Sequence, residues 1–145
     1  MSFPRPYASG AANALYAALF CDEPELLAAI APAFACLAAA PLDEERVRAL
    51  ANDESMEGRV RTLAALRLLQ EGRPPAEPAL YGVIVEAPMD GGLDTLAVFS
   101  DGGVRYINQS AKIAIFEQAP ASIQAKAEGL LRAAAPVAAA IGPWD

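Results

Sequence analysis

Residues 80–117 read LYGVIVEAPMDGGLDTLAVFSDGGVRYINQSAKIAIFE. Four runs within this stretch, 80–88, 93–100, 104–108 and 112–117, are rich in β-branched and aromatic residues, the types that suit a pleated, half-buried surface. Turn signals separate them: MDGG at 89–92, DGG at 101–103 and QSA at 109–111. The glycines supply the positive φ that tight hairpins demand. Connections this short join only antiparallel neighbours, because a parallel return needs a crossover of a dozen residues or more. The stretch therefore predicts a four-stranded antiparallel meander. Tyr81, Val83, Val85 and Ala87 fall on one face of its first strand, with Leu80, Ile84 and Glu86 on the other. Leu93, Ala97 and Phe99 oppose Leu96 and Val98 in the second strand, and Ile113 and Ile115 oppose Ala114 and Phe116 in the fourth. Both faces carry large apolar groups, unlike a sheet with one face in water, so both need cover.

The flanking sequence has helical period. After Pro120, residues Ile123, Ala127, Leu130, Leu131, Ala134, Ala138 and Ile141 form one apolar stripe, with Pro136 placed to bend the last turns and Gly142-Pro143 to end them. Upstream, Ser9 reads as the cap of a first helix whose Leu15, Leu19 and Phe20 share a face, with Tyr16 close by. Asp22 reads as the cap of a second helix, which Pro32 splits. Asp43 starts a third, with Glu44 and Glu45 at its positive end and Val47 and Leu50 turned inward. Ser55 reads as the opening of a fourth, carrying Met56, Val60, Leu63, Leu66 and Leu69 as far as Gly72. GRPPAEP at 72–78 is a stiff linker. The expectation is one α+β domain: helices over 1–71, linker over 72–78, meander over 79–118, closing helix and tail over 119–145.

Composition bounds the chemistry. The 145 residues carry a net charge of −7 and a pI near 4.6, and only two lysines stand beside nine arginines. An acidic surface repels phosphate backbones and anionic membranes, so neither nucleic acid nor membrane is an expected partner. There is no histidine. That removes the usual base near neutral pH and the commonest metal ligand, and it rules out a Ser-His-Asp or Cys-His triad within the chain. Cys21 and Cys36 sit in apolar surroundings and read as buried free thiols of a reduced cytosol, a disulfide between the first two helices being the alternative. ALFC at 18–21 has the outline of a lipoprotein cleavage site, but Phe20 stands where a small residue is needed. The longest uncharged run, Leu26–Leu42, is short for a membrane span and broken by Pro32. A cytoplasmic, soluble protein is expected.

Two groupings of residues carry possible chemistry. Tyr106, Asn108, Ser110 and Lys112 alternate; on one continuous strand Ser110 and Lys112 would be a nucleophile and its base, with Glu86 as a supporting carboxylate. NQSAK also reads as a turn in which Asn108 and Ser110 bond their own backbone, and the alternation then stops there. Glu86, Asp90, Asp94 and Asp101 lie on or beside the meander and would suit calcium or magnesium if they converged. Their spacing is not that of an EF-hand, and aspartate before glycine is ordinary hairpin chemistry. No phosphate-binding glycine motif is present. No metal and no cofactor are expected. Trp144, the only tryptophan, is expected to fold back onto the core.

The segment VIVEAPMDGGLDTLAVFSDGGVRYINQSAKIAIFE, together with IGPWD at 141–145, resembles a group of bacterial proteins without an assigned activity. The resemblance implies no function. In that group glycine is expected between the serine and the lysine; alanine at 111 departs from this and counts against a positive φ there. The resemblance also raises the question of whether Asp145 is the natural end of the chain. The functional expectation is a non-enzymatic cytoplasmic interaction module that binds a protein partner or itself, as a homodimer, through its sheet or a helix face. The alternative is a small hydrolase or ligand-binding enzyme using Ser110, Lys112 and Glu86.

Overall fold

The computed structural model describes residues 5–20, 23–74 and 79–142. The layout is α+β. Helices α1 (Gly10–Leu19) and α2 (Pro24–Ile30), a 3-10 segment (Pro32–Ala38), and helices α3 (Glu44–Asn52) and α4 (Gly58–Gln70) come first. Strands β1 (Gly82–Met89), β2 (Gly92–Phe99), β3 (Val104–Ile107) and β4 (Ile113–Phe116) follow, and helix α5 (Ala121–Ile141) closes the chain. The strands pair antiparallel in the order β1-β2-β3-β4, the meander that the hairpin signals predict. Cys21, Asp22 and Trp144 lie outside the described residues; Cys36 is buried and free.

Local rules account for most of the helical part. The Ser9 side chain accepts from the Ala12 amide at 3.4 Å. Pro24 takes the first position of α2, where a missing N–H costs nothing, and Pro32 ends that helix and opens the 3-10 segment. The Asp43 carboxylate accepts from the Arg46 amide at 3.2 Å and caps α3. A core built on Leu27, Leu37, Val47, Leu63 and Leu68 holds these helices together.

Three expectations for the helices need correction. The buried face of α1 is Ala12, Asn13, Tyr16 and Ala17, leading to Phe20, so Tyr16 turns inward and Leu15 is 45% exposed. In α4 it is Leu68 that is buried, while Leu69 is exposed; the helix ends where Gly72, at φ 69, and Arg73 donate to the Leu69 and Leu68 carbonyls. Ser55 does not open α4. Its amide and hydroxyl both bond the Asp53 carboxylate in the preceding turn, and the helix starts at Gly58. The group that meets its first amide is Asp101, 43 residues away between β2 and β3, at 2.6 Å from the Gly58 nitrogen. A cap supplied from that distance leaves no local signature.

Both sheet faces receive cover from this chain. On one, Tyr7, Tyr16 and Phe20 pack against Ala97, Phe99 and Ile107. The alanine-rich N-terminal helices promise little bulk, but these three rings supply it. On the other, Ala127 of α5 packs against Val98 and Val104, with Ile123, Leu130 and Leu131 around it. Only the first two-thirds of the α5 stripe packs; Ala138 and Ile141 are exposed. The helix passes through Pro136 and stops at Gly142, φ 72. Among the described residues no helix is long and apolar enough to cross a membrane. Arginines join the start of α4 to α1 and the sheet: Arg59 donates to the Ala17 carbonyl at 3.3 Å, and Arg105 pairs with Glu57 and donates to the Leu19 carbonyl at 3.0 Å.

The two later hairpins use one turn design. Between β2 and β3, the Phe99 amide donates to the Gly103 carbonyl and the Gly102 amide to the Phe99 carbonyl, with Gly102 at φ 89. Between β3 and β4, the Asn108 amide donates to the Lys112 carbonyl and the Ala111 amide to the Asn108 carbonyl, with Ala111 at φ 62. Ala111 thus holds the left-handed position that glycine holds in the other turn, and the expectation drawn from its side chain is overturned. The turn hydrogen bonds impose this conformation. A left-handed L-residue costs roughly 1–2 kcal/mol, and glycine there gives back about 0.4–1 kcal/mol through the freer unfolded chain. Ala111→Gly is therefore expected to stabilise the protein by about 0.5–1 kcal/mol, seen as a higher urea midpoint at unchanged slope. A lower midpoint would mean that the methyl contact with the α1-side core outweighs the strain.

Candidate interaction surface

The structure separates the residues proposed for chemistry. Strand β3 ends at Ile107, so the Tyr106-to-Lys112 alternation breaks at the turn. The Asn108 side-chain oxygen accepts from the Ser110 amide at 3.0 Å, the Ser110 hydroxyl at 2.8 Å and the Lys112 amide at 2.9 Å. Ser110 and Lys112 are exposed on this turn. Glu86 lies on β1, at the far edge of the sheet from β4. Three strand spacings of ~4.8 Å put roughly 14 Å between those edges, beyond the reach of concerted proton transfer. Glu86 instead accepts a hydrogen bond from the Tyr16 hydroxyl.

The carboxylates do not gather either. Glu86 is opposite Thr95 on the α1 face, whereas Asp94 is opposite Ala87 on the α5 face. Asp94 accepts from the Tyr106 hydroxyl and the Gln109 amide, both at 2.8 Å. Asp90 is in the β1–β2 turn, and Asp101 lies past the other end of β2, roughly 24 Å from Asp94 at ~3.4 Å per residue. Among the described residues no three Cys, Asp or Glu side chains group as metal ligands. Tyr7 and Tyr106 are not poised for acid–base work near neutral pH. Burial pushes the Tyr7 phenol above its usual value despite the opposing Thr95 hydroxyl, and the bond to Asp94 pushes Tyr106 up.

What the sheet offers is an edge. Strand β1 spans eight residues and pairs only with β2 among the described residues. Residues 84–90 are all exposed, and the large apolar groups among them lie on both faces: Ile84 at 37% on the α1 side, Val85 at 44% and Met89 at 46% on the α5 side. The Ser100 amide donates to the Tyr81 carbonyl at 2.8 Å, which fixes the phase of the ladder. Given the register, alternation turns the backbone groups of Val83, Val85, Ala87 and Met89 toward β2 and those of Gly82, Ile84, Glu86 and Pro88 outward. Proline has no N–H to lose there, and that is why it is tolerated at an edge. Pro88 within an apolar run was thus a sequence signal for an edge strand. The other edge, β4, is only four residues long and exposes Ile115.

A cavity of about 560 Å³ opens between the N-terminal segment and α1, lined by Arg5, Tyr7, Asn13, Ala17 and Ile30 among others. Asn13 is already engaged. Its amide donates to the Tyr7 carbonyl at 2.7 Å and its oxygen accepts from the Tyr7 amide at 2.9 Å. The side chain that looks most suited to reading a ligand is therefore a brace for the backbone, and nothing in the sequence pattern marks the cavity. No protein-family model matches the chain, and no curated protein or solved structure is significantly similar to it.

Proposed function

We propose that this chain is a non-enzymatic, cytoplasmic interaction module that binds a protein partner or a second copy of itself through the β1 side of its sheet. The observation that carries this reading is the β1 edge: eight residues, apolar groups exposed on both faces, and an outward row of backbone groups with no strand against it among the described residues. Long apolar edges are templates for another strand. Strand β1 carries one charge and one proline in its outward row, Glu86 and Pro88, but it is long, uncovered among the described residues and exposes Ile84, Val85 and Met89. The negative charge and the absence of histidine fit the same class, since they disfavour nucleic acid and the common catalytic constellations.

Light scattering on purified protein, alongside affinity capture with wild-type and Val85→Lys baits, tests the proposal. Val85 is half-exposed, so the substitution should leave the fold intact, while an ammonium on the edge should block a docking strand. The expected result is self-association or a retained protein that is lost with Val85→Lys. A constant mass of 15.1 kDa together with identical capture by both baits would overturn it.

A further inference from the structure

We infer that the occupant of the β1 edge is a second copy of this chain, paired antiparallel about a two-fold axis at Ile84. The inference rests on the interaction reading above and goes further by naming the partner and the register. The outward backbone groups of β1 belong to Gly82, Ile84 and Glu86, with Pro88 next in the row. This set is self-complementary. An axis at Ile84 sets Ile84 against its own copy and Gly82 against Glu86 of that copy, and all of these positions carry outward N–H and C=O groups. Every outward donor of the three residues then finds an acceptor on both copies. Pro88 falls opposite Leu80, just past the ladder, so the residue without a donor sits where no donor is needed.

The side chains agree with this register. On the α5 face the axis sets Val83 against Val85 of the second copy, twice by symmetry, as a non-hydrogen-bonded pair, the closer of the two pair types. β-branched cross-strand pairs stabilise a sheet, and Val85, which has Leu96 on its β2 side and is 44% exposed, gains an apolar neighbour on its outward side. On the α1 face, Glu86 falls opposite Gly82, which has no side chain to obstruct it. Two acidic chains repel, but the charges nearest the seam are well separated. The two Glu86 positions lie four residues apart along the strands, roughly 14 Å, beyond the Debye length of about 8 Å at physiological salt. Backbone donors alone would accept any extended strand. What singles out a second β1 is that one register keeps Pro88 outside the ladder, sets Gly82 against Glu86 and pairs Val83 with Val85 on both copies at once.

Backbone amide exchange measured by NMR as a function of protein concentration, with mass followed by light scattering, tests the pairing. The expected result is a mass rising from 15.1 kDa toward twice that value, with slowed exchange at Gly82, Ile84 and Glu86. An amide that exchanges only from the free chain slows about tenfold when about nine chains in ten are paired. Val83 and Val85 face β2 in the single chain and should change little. Ile84→Pro removes only an outward donor, leaves the β1–β2 ladder whole, and should stay at 15.1 kDa throughout. If that variant does not fold, Ile84→Lys serves, since it sets two ammonium stems across the axis on Cα atoms ~5.5 Å apart. A doubled mass with unchanged exchange at the outward amides would overturn this pairing and leave self-association standing through another surface. A mass fixed at 15.1 kDa would remove the second copy and leave the interaction reading to the capture experiment.

Discussion

Phe20→Ala is expected to lower the unfolding free energy by about 3–5 kcal/mol, the usual cost of truncating a buried phenylalanine. Phe20 is 1% exposed and stacks on Tyr16 with ring centroids 6.1 Å apart, and Tyr16 meets Tyr7 edge-on at 5.9 Å. These rings are what α1 and the segment before it place over Ala97, Phe99 and Ile107, so the cavity would open between the helix and the sheet. Domains of this size have about 5–15 kcal/mol of stability in total, so the variant should be near the limit of folding. Leu15→Ala, on the exposed side of the same helix, should change stability by less than about 0.5 kcal/mol. Urea denaturation of both variants, followed by circular dichroism, gives the comparison. Comparable losses in the two would mean that α1 presents the Leu15 side to the sheet, as its sequence pattern alone suggests.

Asp101→Ala should cost about 3 kcal/mol: it removes a carboxylate that accepts two amide hydrogen bonds, each worth about 1.5–3 kcal/mol, and the part-exposed site puts the sum at the lower end. One oxygen accepts from Gly58 at 2.6 Å and the other from Gly103 at 2.9 Å, so a single side chain caps α4 and closes the β2–β3 turn. The approach is close: a Cβ on Gly58 would lie 2.8 Å from the Phe99 Cβ and 3.1 Å from the Asp101 carboxyl carbon. Asp43→Ala removes a local cap on the exposed start of α3 and should cost about 1 kcal/mol. If equilibrium unfolding gives Asp43 the larger loss, Asp101 is not the link between the helices and the sheet that its geometry indicates.

These two sites mark where the sequence is legible and where it is not. The meander could be read because hairpins are encoded locally: apolar alternation, short loops and glycines are all visible within ten residues. The same holds for the Asp43 cap and for Pro32. Ser55 misled because Asp53 takes it into a turn while the true cap comes from Asp101, and no local rule reports a partner 43 residues away. Leu15 and Leu69 misled because helical period defines a stripe only to within a residue or so, and neighbouring packing chooses between candidates. Ala111 misled because a side chain's preference was weighed without the hydrogen bonds that override it. For the candidate site, Ser110, Lys112 and Glu86 were visible as residue types, but their separation follows from strand order. The β1 edge had one written sign, Pro88.

The cover of the α1 face has a consequence in time. Tyr7 and Leu93, joined by a hydrogen bond in the folded protein, are 86 residues apart in the chain. A ribosome adding about 5–20 residues per second needs roughly 4–17 s to bridge that interval. Hairpins close within about 1–10 μs of being available, so the meander forms almost as soon as it emerges, whereas α1 has by then existed for seconds without its docking surface. During synthesis the aromatic side of the first helix is therefore the earliest apolar surface made and among the last to be buried.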